Sequence, residues 1–262
     1  LTQTGVLGLP FSVDPLVLYW NRTLFSNAGI ASPPATWDEV SKYSKLLSVK
    51  DIAGNLRQST IAFGSYKNVT NAKEILATLL LQSGSMITSQ DDQGRLVATL
   101  MPQDDTTKRV DSAVSFYTGF ADPAQEIYSW NRSLESSSKL FLEGSLALYP
   151  GFGSELYSIR KRNPNLNFDI TLLPQVKNTK VQLTYGRLYG LVIPKRSKNI
   201  SAALTVATLL TGKDQMLAWA EVSGLPPVRR DLLSITPSEG YQVTLYRSAL
   251  ISKAWRDPAP LA

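Results

Sequence analysis

The carboxylates Glu126, Glu135, Glu143 and Glu155 surround a glycine–aromatic–glycine turn, Gly151-Phe152-Gly153, in the stretch richest in functional groups. A glycosidase needs two carboxyl groups roughly 5–10 Å apart. Glu135 and Glu143, however, fall inside an expected helix and read as solvated face, so carboxylate catalysis is the minor reading. Other chemistry is excluded by composition. With no cysteine and no histidine, the chain builds no Cys/His zinc centre, no Ser-His-Asp triad and no thiol nucleophile. Gly151-Phe152-Gly153 lacks the third glycine of a dinucleotide-binding turn, and no phosphate-binding G-x-x-x-x-G-K-[ST] loop occurs. No metal or cofactor is expected.

The elements around that turn give it a different use. Ser133 is placed to cap a helix carrying Leu134, Leu140, Phe141 and Leu142, with Gly144 as its stop. Ser145–Tyr149 reads as a short apolar strand. Pro150 to Ser154 is then a sharp turn ending at a helix N-cap, with Glu155 in the first turn of that helix. Free backbone N–H groups beside an aromatic ring suit a polar ligand with apolar faces, such as a sugar. The same pattern also describes an ordinary strand–turn–helix connection with Phe152 in the core.

Composition sets the frame. The chain has 262 residues, 43% hydrophobic and 18% charged, which describes a globular chain of one or two domains. No run of about 20 apolar residues could span a bilayer, and no basic and apolar leader follows Leu1. The net charge of +6 is mild. Its clusters, Arg160-Lys161-Arg162 and Lys195-Arg196-Ser197-Lys198, sit beside expected helix ends and read as solvated faces that complement the helix dipole, not as a nucleic-acid surface.

Along the chain, Val6–Asn21 is extended, with Leu16–Trp20 as a buried-strand run. A short helix over Thr23–Ala28 ends at Gly29. Thr36 and Glu39 form a capping box for a helix to about Leu47. Ser59–Gly64 is a strand, and Asn71-x-x-Glu74 opens an apolar helix that stops at Gly84. Asp104-Asp105 opens another, to about Phe120. Strands near Phe168–Leu172 and over Leu183–Pro194 precede helices at Ser201–Leu210, Asp214–Val222 and Ser238–Lys253. Short strands alternating with helices define an α/β class.

Taken in order, several phrases resemble the extracellular solute-binding proteins of ATP-binding-cassette importers, specifically the family 1, maltose-binding-like group. They are Gly8-Leu9-Pro10-Phe11-Ser12-Val13-Asp14 with Leu18-Tyr19-Trp20-Asn21, and Leu24-Phe25 with Ala28-Gly29-Ile30. Pro33-Pro34-x-Thr36-Trp37-Asp38-Glu39, Leu81-Gln82-Ser83-Gly84 and Phe141-Leu142-Glu143-Gly144-Ser145-Leu146-Ala147-Leu148 continue the series. Tyr185-Gly186 with Gly190-Leu191, then Gly224-Leu225-Pro226-Pro227-Val228-Arg229 and Trp255-x-Asp257-Pro258, complete it.

The resemblance implies a type II periplasmic-binding-protein-like α/β fold: two lobes joined by crossing hinge strands, with an incomplete N-terminal lobe. Residues 1–22 would be a crossing segment and 23–182 the C-terminal-type lobe. Residues 183–231 would be the remainder of the N-terminal-type lobe, and 232–262 a return helix to the first lobe. Family members carry further residues before the first crossing strand, so the resemblance implies a chain truncated at both ends. It also implies a periplasmic or extracellular, membrane-associated setting, a carbohydrate ligand and an importer permease as partners.

Ligand contacts follow from the same resemblance. Trp130 and Phe152, with Gly151, match positions that line the cleft, although each aromatic could equally pack in a core. Tyr185, Gly186 and Arg187 lie on the return crossing strand, where Arg187 could fork onto hydroxyls. Tyr19 lies on the first crossing segment, and Asn68 and Asn71 offer amides at a helix start, Asn71 doubling as its cap. Trp37 is expected to pack under its helix. The alternatives to non-catalytic sugar binding are a folded lobe without a ligand of its own and the carboxylate enzyme.

Overall fold

The computed structural model describes residues 8–100, 106–179, 181–235, 237 and 240–254. The fold is built on one long strand, β1 (Leu9–Asn21). Its second half is enclosed between two partners: β6 (Leu146–Phe152), with Leu16 opposite Phe152, and β7 (Phe168–Thr171), with Leu18 opposite Thr171. A strand covered on both faces is apolar without alternation, as Leu16-Val17-Leu18-Tyr19 is. The first half of β1 pairs instead with β8 (Thr184–Leu191), with Asp14 opposite Arg187 and Pro15 opposite Gly186. Pro15, which has no N–H to donate, lies where β1 changes partners, and its carbonyl accepts from Gly153 N at 2.9 Å.

The remaining strands extend this sheet. β2 (Val49–Lys50) and β3 (Leu56–Ile61) lead to β6, and β9 (Ser252–Lys253) lies beyond β8, giving the order β2-β3-β6-β1-β8-β9 with β7 also on β1. A separate hairpin joins β4 (Thr88–Gln90) to β5 (Leu96–Ala98).

Helices cover the sheet. α1 (Arg22–Asn27) follows β1 directly, and α2 (Trp37–Leu47) starts from the expected capping box between Thr36 and Glu39. Trp37 is buried under α2 and donates its indole N–H to Gln82 Oε1 at 2.6 Å. α3 (Ala72–Gln82) packs against α4 (Thr106–Gly119), while α5 (Ser137–Leu142) and α6 (Glu155–Arg162) flank β6. α7 (Ile200–Leu210), α8 (Lys213–Ser223) and the short α9 (Arg230–Leu233) follow β8, and α10 (Gly240–Leu250) returns to pack on β1 and β7. The expected openings at Asp104-Asp105 and Ser238, and the Trp255 phrase, lie outside the described residues.

Two local expectations are corrected. Ser133 does not cap α5: its hydroxyl donates to Asn131 Oδ1 at 2.7 Å, and Ser136 caps the helix by accepting from Lys139 N. The helix does stop at Gly144, whose φ of +80° suits glycine. Pro150-Gly151-Phe152 is not a turn but the end of a fully buried strand, because β1 pairs with it as far as Phe152.

β8 and α7 differ from the rest. Leu188 and Tyr189 on β8, and Ile200, Leu204, Val206 and Leu209 on α7, are exposed. Among the described residues, no helix is long and apolar enough to cross a membrane.

Candidate functional site

The end of β6 delivers Phe152 to a point where β1, β8, α3 and α6 meet. Phe152 is fully buried. Arg187, on β8, lies over its ring with the guanidinium carbon 3.6 Å from the centroid, and Tyr185 meets the same ring edge-on at 6.4 Å. Arg187 also donates to Glu74 Oε1 at 3.2 Å, tying β8 to the first turn of α3. A guanidinium that is both stacked on an aromatic face and ion-paired is held by two unlike forces.

Two carboxylates fix the turn beneath. Asp14, buried on β1, accepts from Ser154 N at 3.0 Å and Ser154 Oγ at 2.6 Å. Burial pushes its pKa above the ordinary value of 3.8, against the opposing pull of Ser154 and Arg187. Glu155 accepts from Phe152 N at 2.8 Å, Asn71 Nδ2 at 2.9 Å and Tyr149 Oη at 2.5 Å. Burial, with the charge of Glu155 next in weight, raises the pKa of the Tyr149 phenol far above its usual range, so it remains a donor. Ser154 therefore does not cap α6; its hydroxyl is spent on Asp14.

Each expected site residue has a defined place. Trp130 has no exposed surface, and its indole N–H donates to Asn68 Oδ1 at 3.1 Å. This corrects the stacking-platform expectation, because a fully enclosed ring offers a ligand no face. Asn68 is likewise committed, donating to the carbonyls of Asn131 and Leu134, each at 2.9 Å. Tyr19 is core: its ring has no exposure and its hydroxyl donates to Phe152 O at 2.7 Å. Phe152 too is closed off, beneath Arg187. Asn71 makes no side-chain cap; it adopts φ +61° and reaches Glu155.

Gly151 and Gly186 are glycines for packing. A Cβ at Gly151 would stand 2.6 Å from the Tyr149 ring, and one at Gly186 would stand 2.7 Å from Ser252. Tyr185 and Arg187 keep part of their surface open, as does Asn71. The structure thus joins Asn71, Phe152, Tyr185 and Arg187 in one cluster and leaves Trp130 and Asn68 in another.

Sequence reasoning missed Asp14, Ser154, Tyr149 and Glu74. Asp14 carried a signal, a lone charge inside a strand otherwise read as buried. It also missed Tyr66, an exposed aromatic on the loop between β3 and α3. Tyr66 and Lys73 line a pocket of about 310 Å³ with Leu76, Leu80 and Tyr117. Among the described residues, no three His, Cys, Asp or Glu side chains are grouped as metal ligands would be.

The hydroxyls of this arrangement are spent on its carboxylates, Ser154 on Asp14 and Tyr149 on Glu155, at the junction of two strand systems. Its α/β fold is that of periplasmic sugar-binding proteins. The cyclo/maltodextrin-binding protein solved with maltotetraose superposes with a TM-score of 0.71 at 18% identity, over 95% of this chain and 60% of that one. The Thermus thermophilus maltotriose-binding protein superposes with a TM-score of 0.64 at 16% identity, over 95% and 61%.

The chain belongs to the bacterial extracellular solute-binding protein family, whose profile matches residues 2–243. A binding protein of Brucella abortus (strain 2308) is 23% identical over 224 residues, 86% of this chain and 51% of its own length. The chain thus spans about half the length of the curated relatives it matches.

Proposed function

We propose that the chain supplies one lobe and the crossing strands of a protein that binds a sugar or oligosaccharide without chemistry, for delivery to an ATP-binding-cassette importer outside the cytoplasm. The observation that carries this reading is the junction around Phe152. Arg187, Tyr185, Glu74 and Asn71 converge there from β8 and α3, where β1 passes from one set of partners to another. Several proteins of this fold are described with bound sugars, among them maltotetraose and mannobiose. Sugar sites pair aromatic faces with amides, carboxylates and guanidinium groups, and this junction has all four.

In this reading β1 and β8 are the crossing strands, residues 23–182 one lobe, residues 183–231 part of a second, and α10 the return. The bare apolar surface of β8 and α7 is then a lobe surface that further chain covers. The exposed Tyr66 takes the platform role that the enclosed Trp130 cannot.

Calorimetric titration with maltotriose, maltotetraose and mannobiose, beside a thermal-shift series, tests it. A sugar at about a hundred times its dissociation constant stabilises by about 2.7 kcal/mol. Tyr66→Ala and Tyr185→Ala are expected to weaken binding by about tenfold each while the fold persists. A folded chain that shifts with none of a broad sugar panel would overturn the proposal.

A further inference from the structure

Away from the Phe152 junction, the loop after α6 and the start of α1 enclose a polar groove of about 500 Å³. Its charged side chains are Arg22 and Arg160, both exposed, and no carboxylate lines it among the described residues. Neither arginine has an ionic partner among the described residues. The groove is also held in shape. Asn163 donates to Leu142 O at 2.7 Å and accepts from Asn165 N at 3.1 Å. Arg22 N donates to Asn167 O at 2.9 Å, anchoring the residue that carries one guanidinium. The other guanidinium, of Arg160, lies 5.8 Å from the Tyr241 ring, which stacks on the buried Phe168.

Two unpaired guanidinium groups beside fixed amides are a fork for an oxyanion. The helix dipole alone would explain basic residues in the last turn of α6, but it does not explain Arg22, which comes from a different element and faces the same groove. The volume exceeds that of a bare ion and leaves room for the group the anion is attached to.

We propose that this groove is a second binding site, for a phosphate ester, held by Arg22 and Arg160 with the 163–167 loop as its wall. The site is separate from the Phe152 junction and does not depend on what that junction binds. The phosphate could belong to a soluble sugar phosphate or to a phospholipid headgroup.

Two arms separate those sources: titration at low salt with glucose 6-phosphate against glucose, and co-sedimentation with phosphatidylglycerol against phosphatidylcholine vesicles. The Arg22→Ala/Arg160→Ala double variant is compared with Lys161→Ala/Arg162→Ala, which loses the same charge next to the groove but not from it. Phosphate-dependent binding in either arm, weakened about tenfold or more in the first double variant and less than about threefold in the second, supports the site. It is also expected to weaken as salt is added. No binding in both arms, or equal losses in the two double variants, overturns it. Circular dichroism of both variants shows that each loss is read on folded protein.

Discussion

Asp14 and Arg187 are opposite each other in the β1–β8 register, yet neither spends its hydrogen bonds on the other. Asp14 turns both oxygens to Ser154, while Arg187 lies over Phe152 and reaches Glu74. One cross-strand pair thus clamps two different elements, the start of α6 and the start of α3, onto the same point of the sheet.

Arg187→Ala removes the cover from Phe152 and unpairs Glu74. The stack is worth about 0.5–2 kcal/mol, so urea unfolding should show a loss of that order. Arg187→Lys should fall between, because an ammonium keeps the charge and loses the planar contact.

Glu155→Gln should be costlier than its small change in shape suggests. Three donors, from Phe152, Asn71 and Tyr149, converge on this carboxylate. An amide accepts at one end only; with that end kept on Phe152 N and Asn71, its N–H meets Tyr149 Oη, whose own hydrogen then loses its carboxylate acceptor, at about 1–3 kcal/mol. Tyr149→Phe should recover part of that cost in the double variant, and a double-mutant cycle measures the coupling.

Trp130→Phe and Trp130→Ala separate two roles of one side chain. The Phe variant loses the hydrogen bond to Asn68 Oδ1 at about 1–3 kcal/mol. The Ala variant also opens a cavity in the core, for about 3–5 kcal/mol in all. Chemical denaturation of both variants, with sugar titration of the more stable one, checks the assignment. A Phe variant that stays fully folded but loses sugar binding would return Trp130 to the ligand site.

The raised pKa of Asp14 has a signed consequence. Because its carboxyl binds a proton more tightly folded than unfolded, stability contributed by this group falls as pH rises from about 3.8 through its raised folded value, then levels off. Asp51 and Asp91, whose pKa values hydrogen bonds lower, act in the opposite sense: stability they contribute is lost as pH falls below 3.8. The wild type alone therefore shows a sum. The difference between wild type and Asp14→Asn, followed by urea unfolding from pH 3 to 7, should isolate the falling component. A difference that is flat across this range would refute it.

Much of the element order was legible because local signals decide it. The Thr36–Glu39 box, the Gly144 and Gly224 stops and the apolar run Leu16–Tyr19 all appear where periodicity and capping put them. Ser133 and Ser154 misled because a hydroxyl before a helix has alternatives: Asn131 claimed one and Asp14 the other, the second from 140 residues away. The aromatics were harder still. Trp130 and Phe152 have the composition of a sugar platform, but whether a ring is wall or core depends on what packs over it. Here Arg187 lies over Phe152, and Asn68 takes the Trp130 indole N–H inside the core, both partners remote in sequence.

The amino-acid order alone thus determined the α/β class, the absence of thiol and imidazole chemistry, and the ordered phrases of a solute-binding family. Capping, periodicity and composition are properties of neighbouring residues. Tertiary structure decided which side chains meet. The handover of β1 from β8 to β6 and β7, the tether from Arg187 to Glu74 and the three donors on Glu155 all depend on strand register, and register is set by the packing of the whole sheet.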